Sequence, residues 1–295
     1  MQVFTSAQCA LHEPGPSHPE RPARLAAVLT ALAEVPGTRI VEAPLATIAD
    51  LASRHSLAYL ESIAPRAARH GNFGPDTPVN RGSWEATLGA SGAALAALRY
   101  AHSGAGHSFA AIRPPGHHAL PESGMGFCLV NHIAVLASAG RALGRERVLI
   151  IDWDVHHGNG TQAMVEREAD TRFVSMHQWP WYPGTGAAEE RGIGNCFNLP
   201  LAAGLPPAVY LEALWDAIVV ATRDWAPDLV LISAGYDAML GDPLGGFTLE
   251  PLHYAQWVHR LRERFPAVPL VALMEGGYAP ARLAAGVLAT VAALA

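Results

Sequence analysis

Residues 148–162 read VLIIDWDVHHGNGTQ, and this stretch already indicates an α/β architecture. The residues before Asp152 are uniformly apolar, and so short an apolar run is typical of a strand that is covered on both faces of a parallel sheet. A polar loop follows directly, and a helix is predicted to begin at Gly160. Strand, polar loop and helix make up the repeating unit of a doubly wound α/β fold.

The same unit recurs on both sides of this stretch. Short apolar runs predict strands, and the longer amphipathic runs between them predict helices. The predicted strands are Ser108–Ile112, Val148–Asp152, Arg172–Met176, Asp228–Ser233 and Pro269–Met274. The predicted helices are Arg21–Glu34, Trp84–Ala101, Asn131–Leu143, Gly160–Arg167, Pro207–Trp225, Leu252–Phe265 and Pro280–Leu294. No repeat, low-complexity tract or linker interrupts the pattern, so we expect a single domain over residues 1–295.

Polar clusters follow the predicted strands directly. They read RPPGHHA at 113–119, DWDVHHGNG at 152–160, HQ at 177–178, SAGYDAMLGDPLGG at 233–246 and EGGY at 275–278. The carboxyl ends of parallel strands lie along one edge of a sheet, where ligands bind in this class of fold. These distant segments are therefore expected to become neighbours at that edge.

The DWDVHH segment, residues 152–157, contains candidate metal ligands. Asp154 and His156 lie two residues apart, so on an extended segment they project to the same side, and Asp152 lies on that side too. Asp242, in the loop after the strand that begins at Asp228, is the best candidate for a third ligand. Two carboxylates and one imidazole suit Zn²⁺ with a position left open for water, which is typical of a catalytic site.

Other clusters contain candidates for proton transfer, oxyanion stabilisation and substrate binding. His117 and His118 follow two prolines and a glycine, which suggests a fixed turn, and nearby carboxylates would tune their pKa values for a general base. Tyr278 follows two glycines, where its phenol could donate to a developing oxyanion, although packing is an alternative role. Four loop residues could wall a narrow channel for an aliphatic chain or could instead plug the sheet edge: Gly126, Phe127, Trp181 and Tyr182.

Composition excludes several function classes. The formal net charge is −6 and no long basic run occurs, so nucleic acid is not an expected partner. All 20 basic residues are Arg, which excludes Schiff-base chemistry and a Lys-containing phosphate loop. Only three cysteines occur, far apart, which argues against a thiolate zinc site or a disulfide framework. The start of the chain lacks signal-peptide features and the apolar segment 283–295 is too short to span a membrane, so we expect a cytoplasmic protein without a membrane partner.

These segments together resemble the histone deacetylase superfamily, in particular its class II-like bacterial branch, which includes acetylpolyamine amidohydrolases and acetoin-utilisation proteins. The matching blocks occur in the family's order and span nearly the whole chain. They are HPERPARL (18–25), DTPV (76–79), RPPGHHA (113–119), MGFC (125–128), DVHHGNGTQ (154–162), YPGTG (182–186), GNCFNLPL (194–201), SAGYDAMLGDPLGGF (233–247) and EGGY (275–278). Each block is weak alone, and their combination is specific.

The resemblance implies a role for each matching residue. The positions of the family's zinc ligands are Asp154, His156 and Asp242. The positions of its catalytic residues are His117, His118 as general base, Tyr278 as the transition-state tyrosine, Asp152 as partner of His117, and Asn159 as the class II-like partner of His118. The positions of its acyl-lysine tunnel and rim are Phe127, Tyr182, Leu249 and Asp76. A potassium site, common in the family, would lie near Asp152, Asp154, His156, Ser175 and Met176.

The resemblance also implies a fold and an activity. The fold is the arginase-like three-layer α/β/α sandwich with a parallel sheet of about eight strands. The activity is the zinc-dependent hydrolysis of an acylated amine, such as acetyl-lysine or an acetylpolyamine, with one Zn²⁺ per chain. Two alternatives remain open: an arginase-like binuclear manganese hydrolase and a non-catalytic module that binds acyl-lysine. The first is disfavoured because Gly158 occupies the position where an arginase-like relative would have Asp. The sequence does not indicate the physiological substrate or the oligomeric state.

Overall fold

The computed structural model describes residues 1–295 and contains one sheet of eight strands. The strands are β1 (Gln2–Thr5), β2 (Arg39–Glu42), β3 (Ser108–Ala110), β4 (Val148–Asp152), β5 (Thr171–Gln178), β6 (Cys196–Leu201), β7 (Leu229–Ala234) and β8 (Leu270–Met274). Their order across the sheet is β2-β1-β3-β8-β7-β4-β5-β6, and every neighbouring pair is parallel. The predicted parallel α/β sheet of about eight strands is confirmed.

Helices flank this sheet in two groups. They are α1 (Pro22–Ala33), α2 (Ile48–Leu51), α3 (Leu57–Ala68), α4 (Ser83–His102), α5 (His132–Ala142), α6 (Asn159–Val165), α7 (Pro207–Ala221), α8 (Pro251–Arg264) and α9 (Pro280–Leu294), with a short 3-10 helix at Ala7–Leu11. In one group α4 packs on α3 and α5, and in the other α9 packs on α1 and α8. None of the helices combines the length and hydropathy that a membrane crossing requires.

The central strands are buried along their whole length. Every residue of β4, β7 and β8 is buried, as expected for strands that helices cover on both faces. These strands belong to a hydrophobic cluster of 74 buried residues. Burying one such aliphatic side chain contributes about 1.5–3 kcal/mol to folding, so the centre of the sheet contributes strongly to stability.

The register of the central strands aligns the loops that follow them. Asp152 at the end of β4 pairs with Ser175 on β5 and with Ser233 on β7. Ser233 in turn pairs with Leu273 on β8, which pairs with Ala110 on β3. The strands therefore end at nearly the same level, and the polar loops after them start from one edge of the sheet.

Candidate active site

The loops after β3, β4, β7 and β8 meet at the carboxyl edge of the sheet, as the sequence predicts. His117 Nδ1, from the loop after β3, lies 2.9 Å from Asp152 Oδ2 at the end of β4. The amide of Gly276, from the loop after β8, donates to Asp154 Oδ2 at 2.9 Å. Four separate parts of the sequence thus surround one small buried region.

Asp154, His156 and Asp237 form a compact cluster in this region. Their ligand atoms all lie within 4.8 Å of one another, and all three residues are buried. His156 Nδ1 lies 3.0 Å from Asp154 Oδ1 and 3.2 Å from Asp237 Oδ2. Asp237 Oδ2 is buried and nevertheless accepts no hydrogen bond of acceptable geometry. Two carboxylates and one imidazole, with an unsatisfied oxygen among them, fit a divalent cation such as Zn²⁺.

Asp237 takes the place in this cluster where the sequence predicts Asp242. Asp242 instead uses its oxygens to accept backbone amides, with Tyr278 N at 2.6 Å and Leu244 N at 3.0 Å. Its role as a metal ligand stays a prediction. Sequence reasoning did not assign Asp237 as a ligand, although its position three residues after the buried strand β7 was a usable signal. Asp237 Oδ1 accepts the amide of Val155 at 2.9 Å, which orients the Asp237 carboxylate toward His156.

The tandem histidines have different partners and opposite pKa shifts. Burial opposes protonation of His117, but the Asp154 and Asp152 carboxylates outweigh burial and raise its pKa to about 10. His118 Nδ1 lies 2.7 Å from Asn159 Oδ1, so this nitrogen carries the hydrogen of a neutral ring and Nε2 is free to accept a proton. Burial lowers the pKa of His118 well below its usual value, and the neighbouring His117 and His156 lower it further. Neutral His118 has the protonation state of a general base.

Tyr278 lies against the same cavity and is held from two sides. Its amide donates to Asp242, and its ring lies 4.7 Å beneath the Arg24 guanidinium. It also meets Phe127 edge to face, with the ring centroids 5.7 Å apart. Burial raises the pKa of the Tyr278 hydroxyl well above its usual value, so the group keeps its proton and can donate a hydrogen bond.

A buried charge network beneath these loops was not singled out by the sequence analysis. Glu20 accepts Nε and Nη2 of Arg113 at 2.9 and 2.6 Å, and Nη1 of Arg24 at 3.1 Å. Arg24 also donates to the carbonyls of Gly277 and Glu275, each at 2.6 Å. All three charged side chains of the network are fully buried. Their only sequence signal was their position within the HPERPARL and RPPGHHA blocks.

The cavity above the cluster measures about 260 Å³. It is lined by Asp76, His118, Gly126, Phe127, His156, Trp181, Tyr182, Leu244 and Tyr278. The lining therefore includes all four predicted wall residues. It also includes His118, His156 and Tyr278, for which the sequence predicts chemical roles. A larger cavity of about 380 Å³ near Tyr59 and Arg66 contains none of the predicted site residues.

One rim residue, Leu249, lies elsewhere than the sequence predicts. Leu249 was expected to line the rim, but it is fully buried and bridges to Met239, so that prediction is wrong. Leu244 lines the mouth instead, and its carbonyl accepts Trp181 Nε1 at 2.9 Å. Asp76 lies at the rim as expected, where Oδ1 accepts the amide of Gly126 at 3.2 Å and so supports the tunnel wall.

The predicted potassium site lies on the ends of β4 and β5. Asp152 and Ser175 pair in register there, and Ser175 Oγ lies 3.1 Å from His177 Nδ1. Met176 follows Ser175 and is fully buried. The bound potassium ion itself stays a prediction.

Comparison with known proteins agrees with this geometry. The model of the histone deacetylase domain matches residues 18–294. A histone deacetylase-like amidohydrolase of Pseudomonas aeruginosa is 37% identical over 274 residues, which cover 89% of this chain and 72% of that protein. The crystal structure of the HDA15 HD domain superposes with a TM-score of 0.95 at 34% identity, covering 100% of this chain and 90% of that one. The structure of an acetylpolyamine aminohydrolase from Burkholderia pseudomallei gives a TM-score of 0.90 at 27% identity, with 100% and 98% covered. The chain belongs to the histone deacetylase family.

Proposed function

We propose that the protein is a zinc-dependent deacetylase that hydrolyses the amide of an N-acylated amine, such as acetyl-lysine or an acetylpolyamine, to acetate and the free amine. The observation that carries the proposal is that His118, His156 and Tyr278 all line one cavity of about 260 Å³. A general base, a metal ligand and a hydroxyl donor therefore face the same small space. The printed names of the two bacterial relatives, an amidohydrolase and an acetylpolyamine aminohydrolase, support the same class of reaction.

Asp154, His156 and Asp237 would hold the metal ion, with Asp242 as the further ligand that the sequence predicts. When bound, zinc supplies a Lewis acid that polarises the acyl carbonyl and lowers the pKa of water. The Asp237 oxygen that accepts no hydrogen bond supports the presence of a cation here, because a buried carboxylate oxygen without a partner is costly.

His118 and His117 divide the proton chemistry between them. His118 Nε2 accepts a proton from the attacking water and afterwards returns it to the leaving amine, while Asn159 holds the ring through Nδ1. His117 stays bonded to Asp152, whose carboxylate raises the pKa of the ring and favours its protonated form. A cationic ring next to the base stabilises negative charge that develops on the substrate.

The remaining residues position the substrate. The Tyr278 hydroxyl donates a hydrogen bond to the oxygen of the scissile carbonyl as it becomes negative. Phe127 and Tyr182 line the cavity and would hold the aliphatic arm of the acylated amine between their rings. Tyr182 also meets His118 edge to face, with the ring centroids 5.2 Å apart, which excludes water from one side of the base.

A turnover panel on purified protein with measured zinc content tests the proposal. The substrates are acetyl-lysine peptides, peptides with longer acyl chains and acetylated polyamines, and a hydroxamate serves as the inhibitor for zinc chemistry. We expect release of acetate from at least one substrate, loss of that activity in His118→Ala, and full activity in the exposed control His259→Ala. Zinc-loaded protein without turnover on any substrate would instead favour the non-catalytic binding module.

The metal content separates the proposal from the arginase-like alternative. A second ion needs a further bridging carboxylate, and the position where an arginase-like relative has Asp is Gly158. A Cβ at Gly158 would lie 2.3 Å from Asp152 Oδ2, so no side chain fits there without movement. One Zn²⁺ per chain supports the deacetylase, and two Mn²⁺ per chain would support the alternative.

The cytoplasmic location stays a prediction.

A further inference from the structure

The tandem histidines and Tyr278 lie on two loops that follow neighbouring strands. Strands β3 and β8 pair through Ala110 and Leu273, but the pairing ends before the loops begin. No backbone hydrogen bond joins residues 112–118 to residues 275–278. The distance between the general base and the hydroxyl donor must therefore be fixed by side chains.

One buried side chain joins the two loops directly. The Glu275 carboxylate belongs to the loop that contains Tyr278, and its Oε2 accepts the amide of Gly116 at 2.6 Å and that of His117 at 3.3 Å. Its Oε1 lies 3.5 Å from Ser233 Oγ, and the residue is 1% exposed. The main chain of Glu275 is held separately, because its amide donates to Ala234 and its carbonyl accepts Arg24.

We propose that Glu275 is a positioning residue that sets the tandem-histidine loop against Tyr278. The proposal rests on the proposed function, since it assigns a purpose to this link in that reaction. The carboxylate touches neither substrate nor reacting atoms. It acts through the backbone amides of Gly116 and His117.

The other anchors of the histidine loop lead to different parts of the molecule. Arg113 is tied to Glu20, the His117 side chain to Asp152 on β4, and the His117 carbonyl to the amide of Thr161 on α6. None of them bonds directly to the residues next to Tyr278, and the Arg113–Glu20 pair reaches their backbone only through Arg24. Gly116 offers only its backbone, because a Cβ there would lie 2.8 Å from His132.

The reach of the side chain makes the proposal testable. Glu275→Asp keeps the charge but withdraws the carboxylate by one carbon–carbon bond, about 1.5 Å, which breaks a contact of 2.6 Å. Glu275→Gln keeps an oxygen within reach and removes the charge. If position matters more than charge, the glutamine variant is the more active of the two.

The experiment measures kcat, KM, zinc content and amide hydrogen exchange for both variants. Asn195→Ala is the matched control, because Asn195 Nδ2 donates to the carbonyls of Val165, Glu168 and Thr171 at the opposite edge of the sheet. We expect Glu275→Asp to lower kcat by about 10- to 100-fold, since a displacement of 1 Å at a reacting group costs up to about 10²-fold. We expect its KM to stay within about threefold, and kcat of the control to stay within about twofold.

Hydrogen exchange tests the link independently of turnover. Exchange at Gly116 and His117 is expected to accelerate in Glu275→Asp and to accelerate less in Glu275→Gln. In the control, exchange at these two amides is expected to change no more than exchange elsewhere in the chain. Unchanged exchange at these two amides, kcat of Glu275→Asp within about twofold of wild type, or an aspartate variant more active than the glutamine variant would overturn the proposal. If Glu275→Asp does not fold, Glu275→Gln decides alone: a neutral acceptor holds an amide less strongly than a carboxylate, so unchanged exchange at Gly116 and His117 in that variant overturns the proposal. Wild-type protein without deacetylase turnover would refute the proposed function, while the exchange data would still decide whether Glu275 holds the loop.

Discussion

Replacing Glu20 by Gln removes the only anion between two buried guanidinium groups. Glu20 accepts two hydrogen bonds from Arg113 and one from Arg24, and the side chains of all three residues are 0% exposed. A glutamine is nearly isosteric, so the packing changes little while the charge is lost. Two cations would then share one buried site without a counter-charge.

The pKa of Glu20 gives the size of the expected effect. Burial alone would raise this pKa, but Arg113, His12 and Arg24 outweigh burial and lower it from 4.5 to about 2. Each pKa unit corresponds to about 1.4 kcal/mol, so the charged form is stabilised in the folded state by about 3 kcal/mol. Measured costs of breaking a buried ion pair by removing one partner, about 3–5 kcal/mol, are of the same size. We therefore expect Glu20→Gln to lower the free energy of unfolding by about 3 kcal/mol and Tm by about 5–10 °C.

Urea denaturation followed by circular dichroism measures this change, and the chain supplies a matched control. Glu212 also accepts two hydrogen bonds from one arginine, Arg260, at 2.7 and 2.9 Å, but its side chain is 52% exposed. Exposed pairs contribute about 0–1 kcal/mol, so Glu212→Gln should change stability little. Equal losses in the two variants would refute the reasoning that burial gives the Glu20 network its strength. The contribution of Glu20 should also disappear as the pH falls from 4.5 toward 2, because the unfolded chain takes up the proton first.

Three further predictions concern pH, the hydroxyl donor and the metal cluster. Burial lowers the pKa values of His12, His55 and His132 from 6.5 to about 4, so these residues take up protons on unfolding between pH 6.5 and 4. The free energy of unfolding from urea titrations should therefore fall over this range by about 1.4 kcal/mol per pH unit for each proton taken up, and a flat profile contradicts this. Tyr278→Phe should lower kcat by about 10²- to 10³-fold in a steady-state assay, whereas Tyr100→Phe, whose hydroxyl bonds to Ala105 far from the cavity, should have no effect. Asp237→Asn should lower the zinc content of the purified protein and Asp216→Asn should not, since Asp216 is exposed; full zinc occupancy in Asp237→Asn would show that the ion does not use this carboxylate.

The central strands were predictable because burial on both faces leaves a direct compositional signal. The predicted strand Val148–Asp152 coincides with β4, the prediction for β7 is displaced by one residue at both ends, and the prediction for β8 begins one residue early and ends correctly. β2 and β6 lie at the two edges of the sheet, and most of their residues are only partly buried. Only two of the four residues of β2 are apolar, and Asn198 and Pro200 interrupt the apolar residues of β6, so a search for short apolar runs does not find these strands. β1 lies within the sheet, but with four residues it is too short to give a periodic signal.

The site was predictable as a set of residue types and less so as a set of contacts. Asp154 and His156 share one extended segment, so their proximity follows from spacing alone. Asp237 and Leu244 depend on the path of the loop after β7, which turns Leu249 into the core and leaves Leu244 at the mouth. A loop path depends on long-range hydrogen bonds, such as that from Val155 to Asp237, and no local pattern encodes those.

Two buried arginines hold the loops of the candidate active site. Arg113 places two nitrogens on Glu20 and a third on the carbonyl of Cys9, while Arg24 places one each on Glu20, Gly277 and Glu275. Each guanidinium thus satisfies three acceptors in different directions from one fully buried position. An ammonium group is a point charge that is more strongly hydrated, so burying it costs more and it cannot span the same acceptors. Arginine at these two positions therefore lets one buried carboxylate connect the base of the histidine loop to the backbone next to Tyr278, so that the same interactions that stabilise the fold also set the geometry of the candidate active site.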